Sequence, residues 1–146
     1  MYKCILIAVD GSEVAAVAVR HGVALAKAFG AKAIFVNVSP PWESLVVGDA
    51  VVMFPPADYE ESMAKAASKV LDTAAGAARL EGVPCDTVHL VDAQIHAALI
   101  DTARKNGCDL IVMGSHGRHG LEGLLLGSVA TKTVTSAHIP VLICRN

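Results

Sequence analysis

Aromatic side chains are scarce in this chain: one tryptophan, two tyrosines and three phenylalanines among 146 residues. They are too scattered to form a platform on which nucleic-acid bases stack. An excess of basic charge is missing as well. Twelve Lys and Arg stand against fourteen Asp and Glu, a formal net charge of −2, whereas a nucleic-acid module presents a basic patch. Neither nucleic acid nor a membrane is therefore expected as a partner. The four cysteines, Cys4, Cys85, Cys108 and Cys144, lie far apart without a Cys-x-x-Cys pair, so they read as buried free thiols rather than a metal site or disulfide framework. No stretch reaches the ~18 uncharged apolar residues of a membrane-spanning helix, because Asp10, Glu43, Asp49, Lys105 and Asp109 interrupt the richest runs. The opening residues turn polar at Asp10 and lack a small-residue cleavage site, so they do not read as a signal peptide. The expected location is the cytoplasm.

What the chain has is apolar residues, 53% of the total, enough to cover two faces of a sheet. A chain of this length fits one domain, here residues 1–146, and buries about 70% of the surface its unfolded form exposes. Two signals alternate along it. Cys4–Val9 is a continuous apolar run, as in a strand buried on both faces. Helical periodicity follows from Glu13 to about Phe29, with Glu13, Arg20 and Lys27 on one solvated stripe and Gly30 as the stop. Ala33–Val38 reads as the second strand. Pro40–Pro56 reads as a long, unusually apolar connection, and such a loop inside a compact domain is uncommon unless functional. A helix then carries Met63, Ala67, Val70, Ala74 and Ala77 on one face and ends at Gly82-Val83-Pro84. Thr87–Val91 is the third strand. Asp92 is expected to cap a helix running through Lys105, with Ile95, Ala98, Leu99 and Thr102 facing inward. Asp109–Met113 is the fourth strand, Ser128 to about Ala137 a short helix, and Pro140–Cys144 the fifth strand. This alternation implies an α/β fold with an open five-stranded parallel sheet and helices on both faces. Such sheets bind ligands past the carboxyl ends of their strands, where the strand order reverses.

Asp10 and Gly114 stand at two of those ends. Gly114-Ser115-His116-Gly117 leads through nine residues to Gly127-Ser128. Glycines directly after a buried strand bring backbone amides beside a ligand without Cβ obstruction, and the first amides of the following helix carry partial positive charge. Ser128 can cap those amides or offer its hydroxyl to a phosphate or its metal. Together these features read as a phosphate cradle; a glycine-rich surface turn is the alternative. The segment is not a Walker A loop, which needs Gly-Lys-[Ser/Thr] at the helix start. It follows the fourth strand rather than the first, so it is not a dinucleotide fingerprint.

Three segments, Val112–Arg118, Leu124–Ala130 and Ile139–Leu142, together with the opening Ile5–Ser12, resemble the universal stress protein family. The nucleotide-binding branch of that family carries Gly-x2-Gly-x9-Gly-[Ser/Thr], matched here at Gly114, Gly117, Gly127 and Ser128. The resemblance spans the chain except Pro40–Pro56. It implies an adenine nucleotide alpha hydrolase-like, Rossmann-like sheet of order 3-2-1-4-5, with Asp10 facing Gly114 across the cleft. It also implies that Asp10 contacts the adenosine, that the Val38 backbone reads the adenine edge, and that Ala8, Val9 and Met113 line the base and ribose pocket. Gly114, His116, Gly117, Gly127, Ser128 and Val129 would surround the phosphates. The implied ligand is ATP, or ADP or AMP, with Mg²⁺ or Mn²⁺ held mainly by phosphate oxygens.

Plainer readings stand beside these. Asp10 can cap the helix near Ser12, Val38 and Met113 can be core residues, and Arg118 and Lys132 can be solvated charges. His116 and His119 form a His-x-x-His pair, but no third ligand accompanies it, and no metal site is assigned. The expected function is an ATP-binding regulatory stress-response module that signals through conformation or through an unidentified partner protein. The rival is a slow ATPase or adenylyl-transferring enzyme on the same layout, although no nucleophile–base pair is evident. A third reading is a dimerisation module without nucleotide. A homodimer through the last strand, Val141–Cys144, is expected from the resemblance and from its uncovered apolar edge.

Overall fold

The computed structural model describes residues 1–45, 55–117 and 125–146. In chain order the elements are β1 (Cys4–Ala8), α1 (Glu13–Phe29), β2 (Lys32–Ser39), a 3-10 turn (Trp42–Leu45), α2 (Pro56–Leu80), β3 (Cys85–Val91), α3 (Ile95–Lys105), β4 (Leu110–Gly114), α4 (Ser128–Ser136) and β5 (Val141–Cys144). All strand pairs are parallel, and the sheet runs β3-β2-β1-β4-β5. The order reverses between β1 and β4. That opens a crevice at their carboxyl ends, where chains of this architecture take ligands.

Successive strand residues point to opposite faces, and both faces are apolar. On one side Ile5, Ile7, Phe35 and Val112 pack with Ala18 and Ala26 of α1 and Leu71, Ala74 and Ala78 of α2. On the other, Leu6, Ile34, Val36, Ile111 and Met113 pack with Leu99 and Ala103 of α3 and Ala130 of α4. A sheet covered twice needs continuous apolar strands, which is why β1, β2 and β4 carry no solvated alternation. Helix α1 approaches the sheet closely at Gly22, where an added Cβ would lie 2.5 Å from Ile7 Cδ1.

Helix ends follow local chemistry. Ser12 caps α1, its Oγ accepting from the Ala15 amide at 3.2 Å. The helix stops at Gly30, with φ of 64°, while the Ala31 amide donates back to the Ala26 carbonyl at 2.8 Å, the hydrogen-bond pattern of a left-handed glycine stop. Asp92 does not cap α3 as expected. The cap position belongs to Gln94, which makes no side-chain capping bond, and Asp92 Oδ1 instead accepts from the Gln94 amide at 2.8 Å. Its carboxylate closes the turn before the helix rather than reaching the helical amides. The buried stripe of α2 runs through Ala67, Leu71, Ala74, Ala75 and Ala78, with Met63, Val70 and Ala77 half-buried at its margin. The stripe is thus rotated slightly from the expected face. The apolar residues 46–54 of the Pro40–Pro56 connection, and Arg118, His119, Gly120, Glu122 and Gly123 of the glycine-rich segment, lie outside the described residues.

Candidate functional site at the switch point

Strand β1 ends at Ala8, and Val9 continues it, donating to the Val36 carbonyl at 2.9 Å. The chain then turns through Asp10 and Gly11, the latter with φ of 83°, a value that favours glycine. Asp10 Oδ1 accepts from the Ser12 amide at 2.9 Å. Asp10 therefore holds the turn, while Ser12 caps the helix. The second carboxylate oxygen, Oδ2, lies 3.1 Å from the point where a Cβ on Gly117 would sit. The carboxyl end of β1 and the glycine-rich segment after β4 are thus brought together, with Gly117 beside Asp10.

The glycines do different work. A Cβ on Gly114 would meet Val14 Cγ1 at 2.5 Å and the Val14 carbonyl carbon at 3.2 Å, so this residue lets α1 pack against the end of β4. A Cβ on Gly127 would meet His116 Cα at 3.0 Å and the Ser115 oxygen at 3.2 Å. Gly127 thus permits the segment to close on itself. Gly117 is exposed, and among the described residues the atom near its missing Cβ is Asp10 Oδ2, at 3.1 Å. Neither Gly114 nor Gly117 has a positive φ; at Gly114 space, not backbone conformation, demands glycine.

Ser115 ties the segment down. It is 4% exposed, its amide donates to the Cys144 carbonyl of β5 at 2.8 Å, and its own carbonyl accepts from the Gly127 amide at 2.6 Å. Its hydroxyl lies 3.1 Å from His116 Nδ1. Gly127 is the cap residue of α4 and has no side chain to occupy the amides of the first turn. Ser128 is the first helical residue, exposed, and does not act as the cap. Those amides carry the positive end of the helix dipole.

Four of the remaining expected residues gather on one side of the sheet, and Val9 lies on the other. Ala8, Val38, Met113 and Val129 all belong to the apolar cluster beneath α3 and α4. Met113 is buried, and the other three are half-buried. Val9 is buried among the residues facing α1 and α2.

Two residues escape sequence reasoning. Ser115 sits between the motif glycines and has no pattern of its own. Asn37 is buried at the end of β2 and donates from Nδ2 to the Val9 carbonyl at 2.9 Å, fixing the strand end that carries Asp10. A polar amide inside an otherwise apolar run is the signal that would have found it.

The cysteines are free thiols as read. Cys4 and Cys108 are buried with their sulfurs 3.1 Å apart. Burial, and then the hydrogen bond with Cys4, raises the Cys108 thiol well above its usual ionisation range, so it stays protonated and inert. Among the described residues no cluster of three or more His, Cys, Asp or Glu could hold a metal ion, and no helix is long and apolar enough to cross a membrane.

The family model described as universal stress protein family matches residues 1–145. A universal stress protein of Methanocaldococcus jannaschii is 35% identical over 153 aligned positions, covering 99% of this chain and 83% of that protein. A solved structure from the same archaeon superposes with a TM-score of 0.80 at 25% identity, covering 100% of this chain and 97% of that one. A universal stress protein solved in complex with cAMP superposes with a TM-score of 0.67 at 25% identity, covering 97% and 95% of the two chains. With the matched motif lying on the switch-point crevice of the matched fold, the chain belongs to the universal stress protein family.

Proposed function

We propose that the crevice at the carboxyl ends of β1 and β4 binds an adenine nucleotide, with ATP as the ligand, and that the protein acts as a regulatory stress-response module. One observation carries the reading: Asp10 Oδ2 stands 3.1 Å from the Cβ position of Gly117, and Gly127, which opens α4 without a side-chain cap, packs on the neighbouring His116. The relative solved with cAMP supports the adenine assignment. In this reading the base and ribose lie against Ala8, Val9, Val38 and Met113, and Asp10 accepts from the nucleoside. His116, Gly117, Gly127, Ser128 and Val129 surround the phosphates. Gly114 stands with them, its backbone beside the phosphates, while its missing Cβ makes room for Val14. A divalent cation, Mg²⁺ or Mn²⁺, would be held by phosphate oxygens and water, with the Ser128 hydroxyl as the protein ligand.

Gly117→Val is the discriminating variant, because the new side chain projects beside the Asp10 carboxylate and meets no backbone of the described residues. ATP affinity measured by calorimetry should fall roughly tenfold or more, about 1.4 kcal/mol, with thermal unfolding unchanged. Unchanged affinity would sink the assignment. Gly127→Val is a poorer probe, since its Cβ meets the backbone of residues 115 and 116. Asp10→Ala should weaken ATP and AMP alike by about 1.5–3 kcal/mol, the worth of hydrogen bonds to a charged group.

The reading is of a receptor rather than an enzyme. Amide dipoles bind ground-state phosphates, whereas catalysis requires contacts that strengthen in the transition state. Steady-state phosphate release at ~1–1,000 per second, abolished by Gly117→Val, would favour the ATPase alternative. A homodimer is part of the proposal. Strand β5 ends the sheet order, and a second copy pairing there about a two-fold axis would cover its edge. A monomeric mass by light scattering at tens of micromolar contradicts it.

A further inference from the structure

The face of the sheet under α2 changes character toward the carboxyl end of β2. Phe35 is fully buried there, but the next residues on that face are Asn37 and Ser39, both buried and both polar. Their neighbours on β3 are His89, opposite Asn37, and Val91, opposite Ser39. These side chains form a directional relay. The Val9 carbonyl can only accept, so the Asn37 amide group faces it, at 2.9 Å. Asn37 Oδ1 is thereby turned to the Ser39 hydroxyl, which donates to it at 3.3 Å. Having spent its one proton, the Ser39 oxygen accepts from His89 Nε2, at 2.9 Å. In that arrangement a neutral imidazole would carry its proton on Nε2 and leave an acceptor lone pair on Nδ1, for which no hydrogen bond forms among the described residues.

His89 and Ser39 lie in the wall of a cavity of about 430 Å³ between β2–β3, the start of α2 and the 3-10 turn, within the size range of small-molecule sites. Trp42, Tyr59 and Met63 line it with apolar and aromatic surface, and Glu43 and Glu60 add two carboxylates. The Tyr59 hydroxyl donates to the Pro40 carbonyl at 2.8 Å and holds its ring in place. No Lys or Arg is among the described lining residues. The cavity is on the α2 face, whereas Ala8, Val38, Met113 and Val129 pack on the α3–α4 face.

We propose that this cavity is a second binding site, for a small organic ammonium ion with a compact apolar body. An ammonium N–H donates to His89 Nδ1, Glu43 and Glu60 neutralise the charge, and the Trp42 and Tyr59 rings receive the apolar body and the cation. An anion would face two carboxylates, and a neutral ligand would forgo the ion pairing. The inference does not depend on nucleotide binding.

Trp42 is the single tryptophan and reports on the cavity directly. The probes are benzylamine, benzyl alcohol and benzoate, which share one ring and differ in charge. Benzylamine should change Trp42 fluorescence saturably, benzyl alcohol at least tenfold more weakly, and benzoate not at all, with calorimetry on the same solutions as the second readout. The exposed Glu60 can be changed without disturbing the core. Glu60→Gln should weaken benzylamine severalfold while leaving benzyl alcohol unaltered, and His89→Ala, checked for folding by circular dichroism, should weaken benzylamine at least as much. Equal affinity for benzylamine and benzyl alcohol, no saturable response in either readout, or benzylamine binding indifferent to Glu60→Gln would each overturn the proposal.

Discussion

Gly22 and Gly76 both sit inside helices, yet their missing side chains face different surroundings. A Cβ on Gly22 would lie 2.5 Å from Ile7 Cδ1 and 2.7 Å from Ile7 Cγ1, while one on Gly76 would have nothing within 4 Å among the described residues. Gly22→Ala should therefore cost about 1–3 kcal/mol through overpacking. Gly76→Ala should stabilise by about 0.5–1 kcal/mol, because alanine loses less backbone entropy in a helix. Paired urea titrations measure both, and equal effects would refute the packing argument. The thiols give a pH prediction. Burial raises Cys108 and Cys144 in the folded state, so folding keeps protons that the unfolded chain releases above about pH 8.5. Their contribution is complete below that pH and is lost as pH rises toward the folded values. Stability should decline on the alkaline side, and Cys108→Ala should make that decline shallower in denaturation series from pH 8 to 11. Legibility was uneven at this scale. The motif glycines were visible from spacing, but not their division of labour, because whether a Cβ would strike Val14, His116 or open crevice depends on neighbours remote in the chain. Asn37 and Ser115 act through hydrogen bonds to residues remote in the chain, such as Val9 and Cys144, and left no periodic trace.

Among the elements, α1 was legible almost to the residue because each local signal agrees: Ser12 caps it, Glu13, Arg20 and Lys27 are exposed, and Gly30 stops it. Ser12→Ala should cost about 1 kcal/mol, seen as a lowered urea midpoint with an unchanged slope. Helix α3 was legible in its inner face, Ala98, Leu99 and Thr102, but not in its start. Asp92 has the composition of a cap, yet its backbone amide donates to the Ser39 carbonyl at 3.0 Å. That bond extends the strand pairing and delays the helix until Ile95. Strands β2 and β3 each begin before their apolar runs. Lys32 and Asp86 sit at those starts and pair as an exposed salt bridge, so charge concealed strand residues from a hydrophobicity reading.

For the whole molecule, the alternation of apolar runs with helical periods was sufficient for an open parallel sheet covered on both sides. It could not order the strands, since alternation is equally compatible with several windings; the order 3-2-1-4-5 came from resemblance and is the order observed. One junction of that order has a consequence for biosynthesis. Asp109 accepts hydrogen bonds from the Lys3 and Cys4 amides, joining residues 106 and 105 apart in sequence. Strand β1 is central, but on one flank its pairing partner is made more than a hundred residues later. At ~5–20 residues per second, roughly 5–20 s separate the synthesis of the two halves of this junction. Throughout that interval the nascent chain carries an unpaired, wholly apolar strand edge, Ile5-Leu6-Ile7, of the kind that templates aggregation. A release-arrested chain ending at residue 105 should accordingly remain protease-sensitive and bind holdase chaperones, and extension past Cys144 should end both properties together. The wedge that creates the binding crevice in the finished protein thus leaves its middle strand half-dressed during manufacture.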